Sequence, residues 1–508
     1  MKKFIGIIAL FFALTSAFSE NIAENVVENT NENADESLSK NTTNNANKNL
    51  ITKPDSPKND ENKEKFFDYS GHLATFNKFG FNNKKVDNSK DIYPTESFTT
   101  IFGKVDTIYD FKPYIHSDAI KVFKIGLGMG ANGLAYDSTK KDGGVSDTNS
   151  VYPNGSGLNR NYVGAWQGNG KVGGSGGGER NYMLHNAFID FQSTYFNLKG
   201  GRYESDKDYH SGYTQGFSVD LHFNPTPNDE IKFWWFSSWG RAFAYSQWFL
   251  DFYAPIILDK ETNKGIHSGG IDYVHNSIAT NNGVKDGMSI LFRPWTQFYA
   301  SLFNAAGGKL DYQHYFGNGY GVGLTIQGYA LNLIGNKNVV KTGLSGNRID
   351  KLSGNLNAIL KAYMFDYNVR LGIYKNFGSA NSHIGTYGNP LGIDQWTASV
   401  YDKGPSLNDI TSRNAFSVWL SGGGAHGNEV GTFSWEILGR YTTAPRSDEA
   451  SVALFLNQRF NNGFALGLKL EWFSDTTKAG YTIYGNTALT KNRTDDRSHA
   501  FVTLDYNF

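Results

Sequence analysis

From about Phe66 onward the chain divides into segments of about ten residues in which apolar and polar positions alternate, with clusters of Gly, Asn, Asp and Pro between them. Alternation with a period of two predicts strands that turn one face to an apolar phase and the other to water. The last segment is the plainest: Ala500, Val502, Leu504, Tyr506 and Phe508 alternate with Phe501, Thr503, Asp505 and Asn507. Phe464, Leu466, Leu468, Leu470 and Trp472 stand in the same way against Gly467, Lys469 and Glu471, and Val369, Leu371 and Ile373 against Asn368 and Arg370. The mid-strand charges fall on the polar face.

Either a soluble antiparallel sheet assembly or a barrel with its apolar face in lipid would give this pattern. Three features favour the barrel. Segments of about ten residues suit a tilted membrane-crossing strand, whereas soluble strands average about five or six. Aromatic residues collect at Trp234-Trp235-Phe236, Tyr329, Phe460 and Trp472-Phe473, where an interfacial girdle would lie. The chain stops on Phe508 at the end of an alternating strand, which resembles the C-terminal signature that outer-membrane barrels present to their assembly machinery.

The expected fold is therefore all-β, a transmembrane antiparallel β-barrel. Clearer segments lie near 98–109, 119–131, 182–192, 195–203, 213–223, 229–238, 286–293, 297–304, 319–331, 355–365, 367–376, 414–424, 430–441, 450–460, 463–473 and 498–508. With weaker ones included, the even-number rule for bacterial barrels gives about 18 strands, with 16 as the fallback. Barrels of that size leave an aqueous lumen. Tight turns such as 317–319 and 461–463 are expected at the periplasmic end. The long polar stretches 132–180, 239–266, 331–353, 377–413 and 474–497 are expected outside.

Upstream, Lys2 and Lys3, the apolar run Phe4–Leu14 and the small residues around Ala17 and Ser19 read as a secretory signal over residues 1–19, too short to span a bilayer. Residues 20–66 are rich in Asn, Glu, Lys, Ser and Thr and cannot bury enough apolar area to offset ordering entropy, so they read as a disordered periplasmic tail before a barrel at 67–508. Basic and acidic residues balance at 48 each, and the mean hydropathy is −0.45. A nucleic-acid partner acting through a basic field is thus excluded. The absence of Cys excludes disulfides, thiolate metal sites and a Cys nucleophile.

A family resemblance accompanies this pattern. Leu198-Lys199-Gly200-Gly201-Arg202-Tyr203-Glu204-Ser205-Asp206, followed by Ser211-Gly212-Tyr213-Thr214-Gln215-Gly216-Phe217, resembles the Hof-type outer-membrane proteins of Helicobacter and its relatives, which are similar to the OprD group of substrate-specific porins. The resemblance implies an 18-stranded barrel with a loop folded into the lumen, and uptake of small, often carboxylate-bearing solutes. The long Asn-rich tail is not part of that pattern.

A channel selects by width, hydrogen-bonding groups and wall charge. The expected pore-lining bases are Lys104, Lys124, Lys199, Arg202, Arg293, Lys361, Arg370, Arg440, Arg459 and Lys469; the expected acids are Asp106, Asp190, Glu436 and Glu471. Arg370, Arg440, Arg459 and Lys469 recur on successive C-terminal strands, and a row of guanidinium groups can pass a carboxylate along a wall. The plainer reading pairs Arg440 with Glu436 and Lys469 with Glu471 as lumen salt bridges. Glu204, Asp206, Lys207 and Asp208 resemble a constriction loop whose acids would face the basic wall and set up a transverse field.

Other patterns lack context. Gly168-Asn169-Gly170-Lys171-Val172-Gly173 has the letters of a dinucleotide fingerprint but no flanking strand and helix. Asp206, Asp208 and His210 alternate like metal ligands without a closing set. Residues 234–252 hold an aromatic cluster that suits either a sugar platform or, more simply, a girdle with a loop packed on the rim.

No cofactor, metal or catalytic residue is expected. The function expected is an outer-membrane porin for small hydrophilic solutes, anionic or zwitterionic. Its partners would be outer-membrane lipid and lipopolysaccharide, the barrel-assembly machinery through Phe508, and small solutes, as a monomer or homotrimer. A surface adhesin using the long external loops is the alternative.

Overall fold

The computed structural model describes residues 66–84, 87, 90, 92–138, 163–165, 181–210, 212–253, 263–281, 283–300, 302–334, 350–379, 393, 409–483 and 488–508. The expected leader, the tail to residue 65, the 168–173 run and much of the long connections lie outside them. Eighteen long strands make the wall. They are β1 Phe67–Gly80, β2 Phe98–Asp110, β3 Ile120–Asp137, β4 Tyr182–Ser193, β5 Phe196–Ser205, β6 Gly212–Thr226, β7 Asp229–Ala244, β8 Ile266–Asn276 and β9 Val284–Tyr299. The second half comprises β10 Phe303–Phe316, β11 Tyr320–Leu333, β12 Leu352–Met364, β13 Tyr367–Phe377, β14 Phe416–Asn428, β15 Gly431–Thr443, β16 Ser447–Phe460, β17 Phe464–Thr477 and β18 His499–Asn507.

Each wall strand pairs antiparallel with its neighbours in chain order. β1 pairs with β18 from His72↔Asn507 to Gly80↔His499, which closes the barrel and removes both sheet edges. Four shorter strands, Val163–Ala165, Phe249–Tyr253, Ala279–Asn281 and Arg493–Asp496, add to this frame.

Topology separates the two ends. The tight connections 194–195, 227–228, 365–366, 429–430 and 461–463 lie at one end, with the start of β1 and the end of β18. The strand ends that lead into and out of 81–97, 138–181, 245–265, 334–351, 378–415 and 478–498 lie at the other. By the rule for such barrels, the first end is periplasmic and the second external.

Mid-strand apolar side chains on the outer face remain open, as at Leu73 (52%), Ile101 (59%), Leu360 (57%) and Leu420 (56%). Apolar surface so exposed on strand after strand calls for a lipid solvent. The aromatic girdle is clearest at the short-turn end, where Phe67, Tyr69, Tyr195, Phe223, Phe316, Tyr320, Phe365, Tyr367, Phe464 and Phe508 are all exposed. The girdle assignment from sequence needs correcting. Trp235 and Trp472 do face outward, but Trp234, Phe236, Tyr329 and Phe473 have the opposite parity and are buried inside. Adjacent strand residues cannot share a face.

Strand boundaries also differ at one place. Segments 286–293 and 297–304 are not two strands, because β9 runs through Pro294. Its ladder to β8 is recorded at Gly270↔Trp295 and Tyr273↔Phe292 but not between them, where Pro294 has no N–H to donate. The pairing with β10 continues at Pro294↔Gly308. Segment 297–304 spans the end of β9 and the start of β10, and β1 and β8 are not among the clearer segments.

Candidate functional site: an ion-paired belt on the inner wall

The stretch 206–210 follows β5 and turns inward. Tyr209 adopts φ of 63°, a left-handed conformation unfavourable for a bulky residue. Its ring offsets that cost by packing against Trp295 and Tyr329, at centroid separations of 5.4 and 5.2 Å. His210 beside it donates from Nε2 to the Gln297 Oε1 of β9 at 3.0 Å in the tautomer that suits this pair.

Asp208 is thereby delivered to two cations of the wall. Arg293 Nη1 on β9 donates to Oδ2 of Asp208 at 2.8 Å, and Lys309 Nζ on β10 donates to Oδ1 at 3.3 Å. Burial opposes ionisation of Asp208, yet Lys309 and Arg293 hold its carboxyl below the usual carboxylate range. Burial pushes the His210 imidazole down to about 4, and it raises the Tyr209 phenol.

Arg293 also forks onto Asp272 of β8, with Nε–Oδ1 2.8 Å and Nη2–Oδ2 2.7 Å. This side-chain fork spans the strand pair at the place where Pro294 interrupts the backbone ladder.

The belt continues round the wall. Lys361 Nζ on β12 donates to Asp311 Oδ2 on β10 at 3.2 Å, with Thr325 Oγ1 donating to the same oxygen at 2.7 Å. Arg370 on β13 donates to Glu436 on β15 and, through Nε, to Ser421 Oγ at 3.1 Å. In the register of the sheet, Arg293 is opposite Lys309, and Lys361 is opposite Arg370. Like charges directly opposite destabilise a sheet. Here each pair is relieved by acids brought from elsewhere: Asp208 for the first, Asp311 and Glu436 for the second.

The remaining predicted residues lie in smaller groups. Asp106 on β2 accepts from Asn186 at 2.6 Å and meets His185 Nε2 at 2.8 Å, and Lys104 donates to the Tyr213 hydroxyl at 2.9 Å. Lys124 is 3.3 Å from Asp110, and Lys199 is 3.8 Å from Asp190. The Arg202 guanidinium covers the Phe252 ring at 4.4 Å. Glu204 accepts from the Tyr245 hydroxyl at 2.7 Å, and Lys207 is 3.7 Å from Asp220. Lys469 meets Glu471 at 2.6 Å, and Arg459 is on the inward parity of β16.

Two expectations are corrected. Arg440 does not pair with Glu436; it donates to Glu449 Oε2 at 2.8 Å, while Glu436 belongs to Arg370. Residues four apart on one strand are about 13 Å apart, whereas neighbouring strands bring partners within reach. Asp208 does not confront the C-terminal row across open space to create a transverse field, because it is in contact with Arg293 and Lys309. The metal-like spacing of Asp208 and His210 resolves into these separate bonds.

Sequence reading missed Asp272, Lys309 and Asp311. The alternation Lys309, Asp311, Gln313 against Leu310 and Tyr312 carried the signal, but Gly307-Gly308 reads as a turn.

Further connections fold against the wall. Phe249 and Phe252 pack with Ala74, Phe102, Met183 and Tyr213, inside the barrel and not on its rim. On the opposite wall, Ile393 and Ile410 pack on Ile359, Tyr374, Trp419 and Leu438. Asp409, Glu449 and Asp475 converge there, with Arg446 Nε 2.8 Å from Asp409 and Arg440 Nη1 2.8 Å from Glu449 as counter-charge.

The fold is similar to those of several solved structures. OccAB4 of Acinetobacter baumannii aligns with a TM-score of 0.52 at 11% identity, covering 87% of this chain and 98% of that one. OccAB2 of the same organism gives 0.52 at 11%, with 87% and 98% covered. OccD3 (OpdP) of Pseudomonas aeruginosa gives 0.51 at 9%, with 87% and 91% covered. At these identities the likeness is one of fold. No curated protein matches the chain. A family model described as "Putative outer membrane protein" matches residues 61–508.

Proposed function

This chain belongs to that family of bacterial outer-membrane proteins, and from that premise we propose that it is a porin for passive diffusion of small hydrophilic solutes. The observation that carries the reading is the inner wall. A lipid-facing barrel whose inward face is lined by a ring of charged side chains is built to hold water and polar solutes. A non-enzymatic role is part of this proposal.

Between anionic and zwitterionic solutes, the pairing favours zwitterions. The bases Arg293, Lys309, Lys361 and Arg370 and the acids Asp208, Asp272, Asp311 and Glu436 are matched four to four through direct contacts. Paired charges cancel at a distance, so the belt exerts little net pull on an anion while offering donors and acceptors to a solute that carries both. The residues expected to line the pore and the inward stretch 206–210 as a constriction belong to this proposal.

The test is a planar-bilayer recording with the purified mature chain. Stable, ohmic conductance with a small reversal potential in a salt gradient is expected. Insertion without conductance removes the porin reading, and strong anion selectivity removes the zwitterion preference. The gathering of long connections at one end favours a second reading, a surface adhesin, which predicts unchanged solute uptake but reduced attachment in a deletion strain.

A further inference from the structure

The outer face of the barrel carries a groove that the proposed channel does not use. It has a volume of about 990 Å³ and lies across β9–β13, extending to the external rim. Its floor is formed where Gly308 pairs with Gly328 and Ala330 with Gly354, so that four lipid-facing positions on adjacent strands carry little or no side chain. Phe292, Leu310, Ile326, Leu352, Leu356 and Phe377 make the walls. From the row at Ile326 to the row at Asn332 opposite Leu352 the groove runs roughly 20 Å at the usual rise per strand residue. That is the reach of one fatty-acyl chain.

The external end of the groove is polar and carries excess positive charge. Arg413 forks onto Asp350, with Nε–Oδ2 2.7 Å and Nη2–Oδ1 2.9 Å, and remains about half exposed. Lys375, outward-facing on β13, donates to the Asn414 carbonyl at 3.0 Å. Arg413 and, through Asn414, Lys375 thus stand with the single carboxylate of Asp350 at the end of the groove, at the depth where headgroups of the outer leaflet lie.

We propose that this groove binds a phosphorylated glycolipid of the outer leaflet, with one acyl chain between the apolar walls and a phosphate against Lys375 and Arg413. An apolar trough ending in surplus cations complements an amphiphile with an anionic head, and the outer leaflet supplies that chemistry at the correct depth. The alternative occupant, a second copy of the chain, would bring its own lipid-facing apolar strands to the trough and leave the charge beyond that of Asp350 unmatched. The proposal rests on the orientation of the barrel and not on solute passage.

Native mass spectrometry of the full mature chain in detergent, mixed with bis-phosphorylated lipid A or with the same lipid after dephosphorylation, tests it. The wild type is expected to retain the phosphorylated form preferentially. Lys375→Gln with Arg413→Gln lowers that retention roughly tenfold. Ala330→Phe, which fills the floor at an exposed position, lowers retention of both forms. Equal retention of the two lipids by the wild type overturns the proposal, as does undiminished retention by either variant. A dimer that dissociates in Ala330→Phe assigns the groove to a second copy instead. Single-channel conductance unchanged in both variants separates this result from any failure of the porin reading.

Discussion

Asp208 and Arg293 meet at 2.8 Å although 85 positions separate them in the chain. One lies on the stretch 206–210 and the other on β9, so the contact ties an inward turn to the wall several strands away. Each partner has a second counter-charge, Asp272 for Arg293 and Lys309 for Asp208, so the pair is one link of a charge-balanced group. The contact therefore holds the turn in place and balances the charge of the belt.

Asp208→Asn removes one negative charge from between Arg293 and Lys309. Arg293 retains its fork to Asp272, while Lys309 loses the carboxylate it donates to. The wall gains one positive charge, and the reversal potential in a potassium chloride gradient is expected to move toward anions. A reversal potential identical to wild type would show that this pair does not face the conducting path.

Gly372 and Trp419 are opposite one another across β13 and β14. A Cβ on Gly372 would lie 2.1 Å from Cε2 of Trp419, and the indole is 1% exposed with little space to move. Gly372→Ala is expected to destabilise the barrel by about 1–3 kcal/mol, the usual range for overpacking. The Arg370 guanidinium covers that indole at 5.6 Å, so the change also loosens the Arg370–Glu436 pair. Heat modifiability on a gel reads the loss as a lower unfolding temperature. Gly439→Ala, with no atom within 4 Å of its new Cβ, is the control that should behave as wild type.

The membrane barrel was legible in the sequence because its signal is carried by alternation, which lipid and water enforce on every strand. Counting in twos puts Lys469 and Glu471 on one face of β17, where they meet at 2.6 Å. Contact partners were not legible, because they depend on register and on where the connections dock. Arg440 finds Glu449 across the neighbouring strand, and Asp208 reaches β9 only because Tyr209 accepts a left-handed backbone. The alternation also failed where one residue suspended it: Pro294 resembles a terminus, but the strand tolerates it by giving up part of one ladder.

The closing seam makes its own demand. Gly71 and Phe508 exchange two backbone hydrogen bonds, Gly71 N to Phe508 O at 2.8 Å and Phe508 N to Gly71 O at 3.1 Å. The Phe508 ring then lies over Gly71 so closely that a Cβ there would be 2.1 Å from the ring's Cζ. Gly71→Val must displace the ring, and Phe508→Ala removes it. Both are expected to lower the fraction of folded, heat-modifiable barrel several-fold at equal expression. A wild-type fraction for Gly71→Val would mean that the ring's seat is dispensable.

Acid should loosen the stretch 206–210 before it disturbs the ion pairs. His210 is buried, faces Gln297, Phe236 and Arg241, and has its pKa lowered to about 4 by burial, so it is neutral in the docked state. Once undocked, it titrates near 6.5. Because the undocked form binds the extra proton, docking is fully stable above that value. It weakens by about 3 kcal/mol as the pH falls to 4. Asp208 has the opposite kind of shift: its lowered pKa contributes stability above the ordinary carboxylate value, and that is lost only at lower pH. Current fluctuations in a single channel are thus expected to grow between pH 6.5 and 4. In His210→Asn, which has no proton to gain, they should stay constant over that window. Equal pH dependence in the two proteins would remove His210 as the cause.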